Sequence, residues 1–579
     1  MQNVVIDFES YYDGELTVRR HGAINYLAQT NVYLVAVVGS DWEWTGDPRK
    51  FDWSRLSNAA LWAHNFGFDG AYFLSRELPI PGKAFNCSAN LVAWLGSPRA
   101  LDKATRVLLS DDKEISKDVR KALKGQTWHE LSSDTQEAVT EYCRSDARAA
   151  YQLVEKYATQ WPANEQSLSQ HTISMGWRGV GVDREKLDRY LQRVIEIRAA
   201  AIPEIPWALN ELGAPLSLLQ ARAHCEKAGI EPPKSFAEKN EHFIIWETQH
   251  RARVPFVAAV ARYRKAVILQ ARLEAMQRRI LPSGRLSYDL KYFGAHTGRW
   301  SGSGGLNLQN LRKNDFHGIS LRRLLVPSAG KKLIVADLCQ IEPRVLCWLC
   351  GDSETLALIR AGYGFYEAQA KSWGLWNDAP GTLKHTRPEL YMSIKRLALG
   401  AGYGMGPARF RATVAEQMST NITLEEARRQ LNDYRVRNRR VVAYWHKLDR
   451  DLQMSVGAGE MEVALPSGRN LRYHNLRRLH GDVYATFASE EGYRETKLWG
   501  GFLTENAVSG TARDIFAEGL LRLERAGLRV VLHIHDEYVM EVDPDVHLSD
   551  VLELLRQPPL WALDLPIDAE GWEGDCYAP

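Results

Sequence analysis

The sequence predicts a multidomain protein of mixed α/β and α+β class, and three observations carry that expectation. The chain has 579 residues, 45% hydrophobic and 25% charged, which is ordinary globular composition but more length than a single core of about 250–300 residues fills. Strand-like and helix-like stretches alternate over about the first 160 residues. A strongly helical middle then gives way to a C-terminal half that mixes strands with long helices.

The elements follow in order. Residues 4–8 (Val-Val-Ile-Asp-Phe) and 32–38 read as strands, 62–65 as a strand end entering a loop, and 137–157 as a helix. The segment 161–290 is helical, with 3.6-type apolar spacing over 187–197 and 254–276. Glycines cluster over 298–305. Strands are expected at 332–336, 529–534 and 538–542. No internal repeat or low-complexity tract interrupts this order.

Composition excludes some classes. No apolar run approaches the ~18 residues of a membrane span, and the N-terminus lacks the basic-then-apolar pattern of a secretory leader. Seven cysteines cannot all pair, so reduced thiols in a cytoplasmic setting are expected. Net charge is only +2, yet residues 251–280 hold eight Arg or Lys against one acid, and 428–440 hold six Arg against one acid. Such stretches suit a polyanion groove as well as a solvated helix face. Cys347 and Cys350 have no second cysteine pair at zinc spacing, so buried helical thiols are expected there. His533 reads as a packed strand side chain.

Two constellations of acids carry chemistry. Asp7 and Glu9 stand two apart on a strand and so share a face; Tyr142 and Asp146 stand four apart on a helix and share another. With Asp69 they make a hard-oxygen set suited to two Mg²⁺ or Mn²⁺ ions, which activate water and stabilise the leaving oxygen of a phosphodiester. Tyr142 would orient the water. A lone Asp-x-Glu carries little weight, but this ordered trio of sites resembles the three motifs of the DnaQ-like 3′–5′ exonucleases.

In the C-terminal half, an apolar strand ends at Asp337, and His535-Asp536-Glu537 lies in a tight turn between two strands, so Asp337 and Asp536 would meet at one sheet edge. Lys395, Leu399 and Tyr403 are spaced i, i+4, i+8 on one helix face, where a lysine can neutralise a triphosphate and protonate pyrophosphate. These segments resemble motifs A, B and C of family A (bacterial DNA polymerase I-like) DNA polymerases. Thr297-Gly298-Arg299-Trp300-Ser301, Asn307-Leu308-Gln309-Asn310, Leu321-Arg322-Arg323 and the 505–514 block extend the resemblance over the whole chain, the last in a phage-like form.

The resemblance implies a ribonuclease H-like exonuclease domain at 1–160, then a right-hand polymerase: mainly thumb at 161–290, palm at 291–345, fingers at 346–450 and palm again at 451–579. It implies that Asp337 and Asp536 bind two metal ions, with Glu537 beside them and His535 near the primer terminus. Lys395 would face the triphosphate, Tyr403 the nascent base pair, and Glu342 would exclude a ribose 2′-hydroxyl. Arg299, Asn310 and Arg344 would touch primer–template or order the site, and the basic 251–280 stretch would meet duplex phosphates. Two positions depart from the family: Tyr391 stands where an Arg is usual, and Leu399 where Phe or Tyr is usual. The expected function is proofreading DNA polymerase in phage replication, a monomer acting on primer–template DNA and dNTPs in the host cytoplasm, with no 5′-nuclease domain ahead of it. The rival is a 3′–5′ exonuclease whose C-terminal half only grips DNA.

Overall fold

The structure is a computed structural model that describes residues 1–110, 118–208, 214–236, 241–311, 315–418, 422–489 and 492–578. Five strands open the chain: β1 (Asn3–Ser10), β2 (Val32–Val38), β3 (Glu43–Gly46), β4 (Ala60–Ala63) and β5 (Ala84–Cys87). They form one sheet in the order β3-β2-β1-β4-β5, with β1 parallel to β4 and antiparallel to β2. β2 is buried at every position, because both sheet faces are covered. Val4, Ile6 and Phe8 enter one core with Tyr72 and Phe73. Val5 enters another, with Val139, Cys143, Ala147 and Val154 of α1 (Ser133–Tyr157). The period of two therefore puts Asp7 and Glu9 on the face that α1 covers. The helix begins four residues before the expected 137, because the Ser132 hydroxyl caps it by accepting from Thr135 N and Asp134 suits its positive end.

The middle is helical as expected. α2 (Ala163–Arg178) leads to α3 (Arg184–Ala201), which packs along α4 (Pro255–Arg279). The C-terminal half begins with β6 (Lys332–Leu338), followed by α5 (Ile341–Leu349), α6 (Phe365–Ser372), α7 (Pro388–Ala401) and α8 (Arg439–Ser455). Phe365, Tyr366, Ile394 and Ala398 give this helical lobe its own core. A four-stranded antiparallel meander comes next: β7 (Glu460–Ala464), β8 (Asn470–Leu479), β9 (Asp482–Ser489) and β10 (Gly492–Leu498). The sequence reading missed it, although Met461, Val463 and Leu465 alternate with exposed residues. Gly492, at the far end of this arm, lies against Lys103 of the first domain.

α9 (Gly500–Arg525) is buried along most of its length and backs the second sheet. That sheet adds β11 (Arg529–Ile534), β12 (Glu537–Val542) and β13 (Ala569–Gly574) in the order β11-β12-β6-β13, all antiparallel. Two buried cations tie the halves together. Arg513 on α9 forks onto Glu165 of α2 at 2.6 and 2.8 Å, and the Tyr292 hydroxyl donates to the same carboxylate at 2.5 Å. Arg279, with no exposed surface, reaches Asp289 at 3.3 Å, the Arg19 carbonyl at 2.7 Å and the Gly304 carbonyl. The seven cysteines are free thiols; Cys347 is buried on α5 as expected, whereas Cys350 is the half-buried residue that caps that helix. No helix among the described residues is long and apolar enough to cross a membrane.

Candidate active sites

Asp337 ends β6 directly opposite Glu537 in the ladder, and Leu338 N donates to the Asp536 carbonyl at 3.2 Å. The two predicted aspartates are therefore brought to one sheet edge. The turn carrying Asp536 needs a left-handed residue, and His535 takes that role at φ +56°. Gln309 clamps it: its amide nitrogen donates to the His533 carbonyl at 2.7 Å, and its amide oxygen accepts from His535 N at 3.2 Å. Glu537 is buried and already engaged, by Arg322 at 3.2 Å and by the Tyr577 hydroxyl. Burial lifts the Asp536 carboxyl and the Glu342 charge lifts it further, while Arg299 opposes both.

Glu342 stands in the first turn of α5, where its carboxylate is ion-paired with Arg299. Tyr403 feels the same carboxylate: burial, then the Glu342 charge, pushes its phenol well up. Lys395 and Tyr391 lie one turn apart on α7, both half-buried, and the Tyr391 ring meets Tyr366 of α6 edge-on at 5.3 Å. Asn310 is exposed. The side chain of Leu399 lies outside the described residues.

The N-terminal acids converge separately. Asp69 is 3% exposed and accepts from Phe8 N at 3.2 Å, which locks it to β1 between Asp7 and Glu9. Cys143 on α1 donates to the Asp7 carbonyl at 3.4 Å, so the helix carrying Tyr142 and Asp146 rests on that strand. Burial raises Asp7 well above the usual carboxylate range, and the charges of Asp146, Asp69 and Glu9 add to it. Burial lifts Glu9 to about 7 against the opposing charge of Arg120. Asp69 is raised by burial and by Glu9. Tyr142 hydrogen-bonds Asp146, and burial with that charge pushes its hydroxyl up. Oxygen-only donors that resist joint ionisation suit hard divalent cations. Among the described residues, no three Asp, Glu, His or Cys side chains already converge to ligate one ion.

Residues 240–577 match the family model for DNA polymerase family A. The chain belongs to that family. It is 27% identical over 460 residues to the DNA polymerase of Bacillus phage SP02, covering 69% of this chain and 68% of that one. It is 24% identical over 525 residues to DNA polymerase I of Chloroflexus aurantiacus, covering 85% and 52%, and 26% identical over 335 residues to the thermostable DNA polymerase I of Thermus thermophilus, covering 56% and 36%. The chain thus spans about a third to a half of these bacterial relatives. Its fold is similar to that of the POL domain of Pol1 from M. smegmatis, solved in complex with DNA primer-template and dNTP, with a TM-score of 0.69 at 18% identity over 100% of this chain and 95% of that one.

In this family A polymerase chain the remaining residues that the sequence singled out have the following surroundings. Arg344 is buried and donates to the Pro566 carbonyl at 2.9 Å, which fits the second of its two expected roles, ordering the site. Much of the basic stretch meets partners within its own chain, several of them partly exposed. Arg262 pairs with Glu204, Lys265 with Glu247 at 3.3 Å, and Arg278 with Glu274 at 3.8 Å; Arg264 donates to the Phe236 carbonyl at 2.9 Å, and Arg279 is the buried tie described above. Arg251 and Arg253 are exposed. Trp300 donates to Thr172 at 2.8 Å and packs on Phe516 and His533. His533 is packed as expected, and burial drops its pKa to about 3. The sequence reading missed Tyr366, Arg120 and Tyr577, and it placed Gln309, Arg322 and Glu537 in motifs without their partners, which are remote in sequence.

Proposed function

We propose that this protein is a template-directed DNA polymerase with 3′–5′ proofreading exonuclease activity, serving phage DNA replication. The observation that carries the reading is the docking of Asp536 onto the end of β6 beside Asp337, with the Glu342 charge acting on both Asp536 and Tyr403. Domains at 1–160 (exonuclease), 161–290 (mainly thumb), 291–345 and 451–579 (palm) and 346–450 (fingers) fit it, with β6, β11 and β12 as palm strands. A sheet in which β2 runs against β1 while β4 and β5 run with it, plus four paired carboxylates, supports a ribonuclease H-like nuclease at the N-terminus. The phage SP02 relative supports the replication role.

Asp337 and Asp536 would hold two Mg²⁺ or Mn²⁺ ions, and Asp7, Glu9, Asp69 and Asp146 a second pair; when bound, such ions supply Lewis-acid stabilisation of the attacking and leaving oxygens. The primer 3′-hydroxyl attacks the α-phosphate of the dNTP and pyrophosphate leaves. Lys395 neutralises the triphosphate from α7 and gives a proton to the departing group. Glu342, held by Arg299, fills the space a ribose 2′-hydroxyl would take. At the other site Tyr142, anchored to Asp146, orients the water that cleaves the terminal phosphodiester.

A labelled primer on a longer template, incubated with Mg²⁺, tests this. Extension with dNTPs and 3′ shortening without them are expected. Asp536→Ala should abolish extension and spare shortening; Asp7→Ala should do the reverse. Shortening without extension by the wild type would leave an exonuclease with a DNA-gripping C-terminal half.

A further inference from the structure

β13 leaves the second sheet at Gly574, opposite Leu333 of β6. Three residues on, Tyr577 reaches past β6 to β12, where its hydroxyl donates to Oε1 of Glu537. The residue has no exposed surface, and its backbone, ring and hydroxyl are each engaged. Tyr577 N donates to the Leu325 carbonyl at 2.8 Å. The Arg322 guanidinium lies over the ring, 4.4 Å from its centre. Arg322 is itself steadied by the Leu311 carbonyl at 3.2 Å, and it donates to the same Glu537 oxygen at 3.2 Å. Arginine, phenol and carboxylate thus form one buried cluster in which each touches the other two.

Glu537 is close to the chemistry. It stands directly opposite Asp337 in the ladder between β6 and β12, so the two side chains share a face with their Cβ atoms about 4.5–5.5 Å apart. Like charges directly opposite one another repel. A glutamate side chain is long and rich in rotamers, and unrestrained it would sweep across the aspartate beside it. The cluster removes that freedom by placing two donors on one oxygen. The arginine supplies the charge that holds the carboxylate. The phenol supplies a fixed direction, because its O–H is carried by a ring that is itself clamped. Burial, then the Glu537 charge, pushes that phenol well up, so the hydroxyl keeps its proton to donate.

We propose that Tyr577 is a positioning residue of the polymerase site: acting through Glu537, it draws that carboxylate back from Asp337 and keeps the sheet edge set for nucleotidyl transfer. This rests on the polymerase reading and adds to it a residue from the segment after β13. Tyr577 is sealed from solvent and touches neither nucleotide nor primer, so its loss slows the chemical step and leaves binding alone. The N-terminal acids belong to another sheet, so primer shortening is untouched.

The test uses the full chain with Tyr577→Phe, which keeps the ring under Arg322 and the bond to Leu325 and loses only the hydroxyl. Single-turnover extension of a primer–template should slow by about tenfold, the order expected for a lost hydrogen bond to a charged group. Equilibrium binding of the next dNTP, measured on a dideoxy-terminated primer, should stay within about twofold, as should the rate of 3′ shortening. A double-mutant cycle with Glu537→Gln asks whether the phenol acts through the carboxylate: with the charge gone, the same loss of hydroxyl should cost about twofold or less. A wild type that extends, beside a Tyr577→Phe protein within about twofold of its rate, overturns the positioning role and leaves the polymerase reading standing. So does an equally large loss in the Glu537→Gln background, which is what a purely structural residue would give. A wild type that does not extend overturns the polymerase reading and this inference with it.

Discussion

Glu342 shows how one side chain gains meaning from its partner. Its place in the first turn of α5 was legible from the motif, but its ion pair with Arg299 was not, since 43 residues separate them. The pair holds the carboxylate in one orientation, which is what steric exclusion of a hydroxyl requires. Glu342→Ala should raise ribonucleotide incorporation by about one to two orders of magnitude, or ~1.4–2.8 kcal/mol of lost discrimination, read from rNTP and dNTP kcat/KM on one template. Unchanged sugar selectivity would remove the assignment. Asp7 and Glu9 were readable because acids two apart on a strand share a face, and Asp69, Asp337 and Asp536 because they stand in motifs that resemble those of known families. The partners of Gln309, Tyr366 and Arg322 were not, because a neutral amide, a phenol or an arginine has no signature until the fold supplies a partner more than 20 residues away.

At the scale of elements, strands and helices near the sites fell where apolar periodicity put them, and β2 and β11 match their expected ranges residue for residue. α4 teaches the limit of that method. A run of basic residues on a helix cannot declare whether it faces phosphate or the protein's own carboxylates, and here most of the run meets Glu204, Glu247, Glu274 and backbone carbonyls. The turn between β11 and β12 offers a sharper test. Gln309 satisfies a carbonyl and an N–H on either side of His535, so Gln309→Leu removes both bonds at once. We expect about a tenfold or greater fall in kcat, with dNTP KM little changed and primer shortening intact, because each net hydrogen bond is worth ~0.5–1.5 kcal/mol. Single-turnover extension beside a shortening assay reads it.

Over the whole molecule, stability is concentrated where the halves meet. Burial alone would raise the Glu165 carboxyl, but the Arg513 charge, its hydrogen bonds and the Tyr292 hydroxyl hold it below the usual carboxylate range. A depressed carboxyl contributes stability that is present above the unfolded-state value and is lost as pH falls through the folded one. The seam should therefore weaken as pH falls below the ordinary glutamate value of 4.5, and Glu165→Gln should flatten that acid-side loss in thermal melts taken across pH. Arg513→Ala, which strands a buried carboxylate, should cost about 3–5 kcal/mol, seen as a lower melting temperature at neutral pH. Arg279 carries a practical consequence of the same kind. Its guanidinium finds the Arg19 carbonyl across the boundary, so a gene trimmed to shed the N-terminal sheet would not yield a leaner polymerase. It would yield a protein with a sealed-in cation stripped of part of its cage, and any such streamlining has to begin by replacing that arginine.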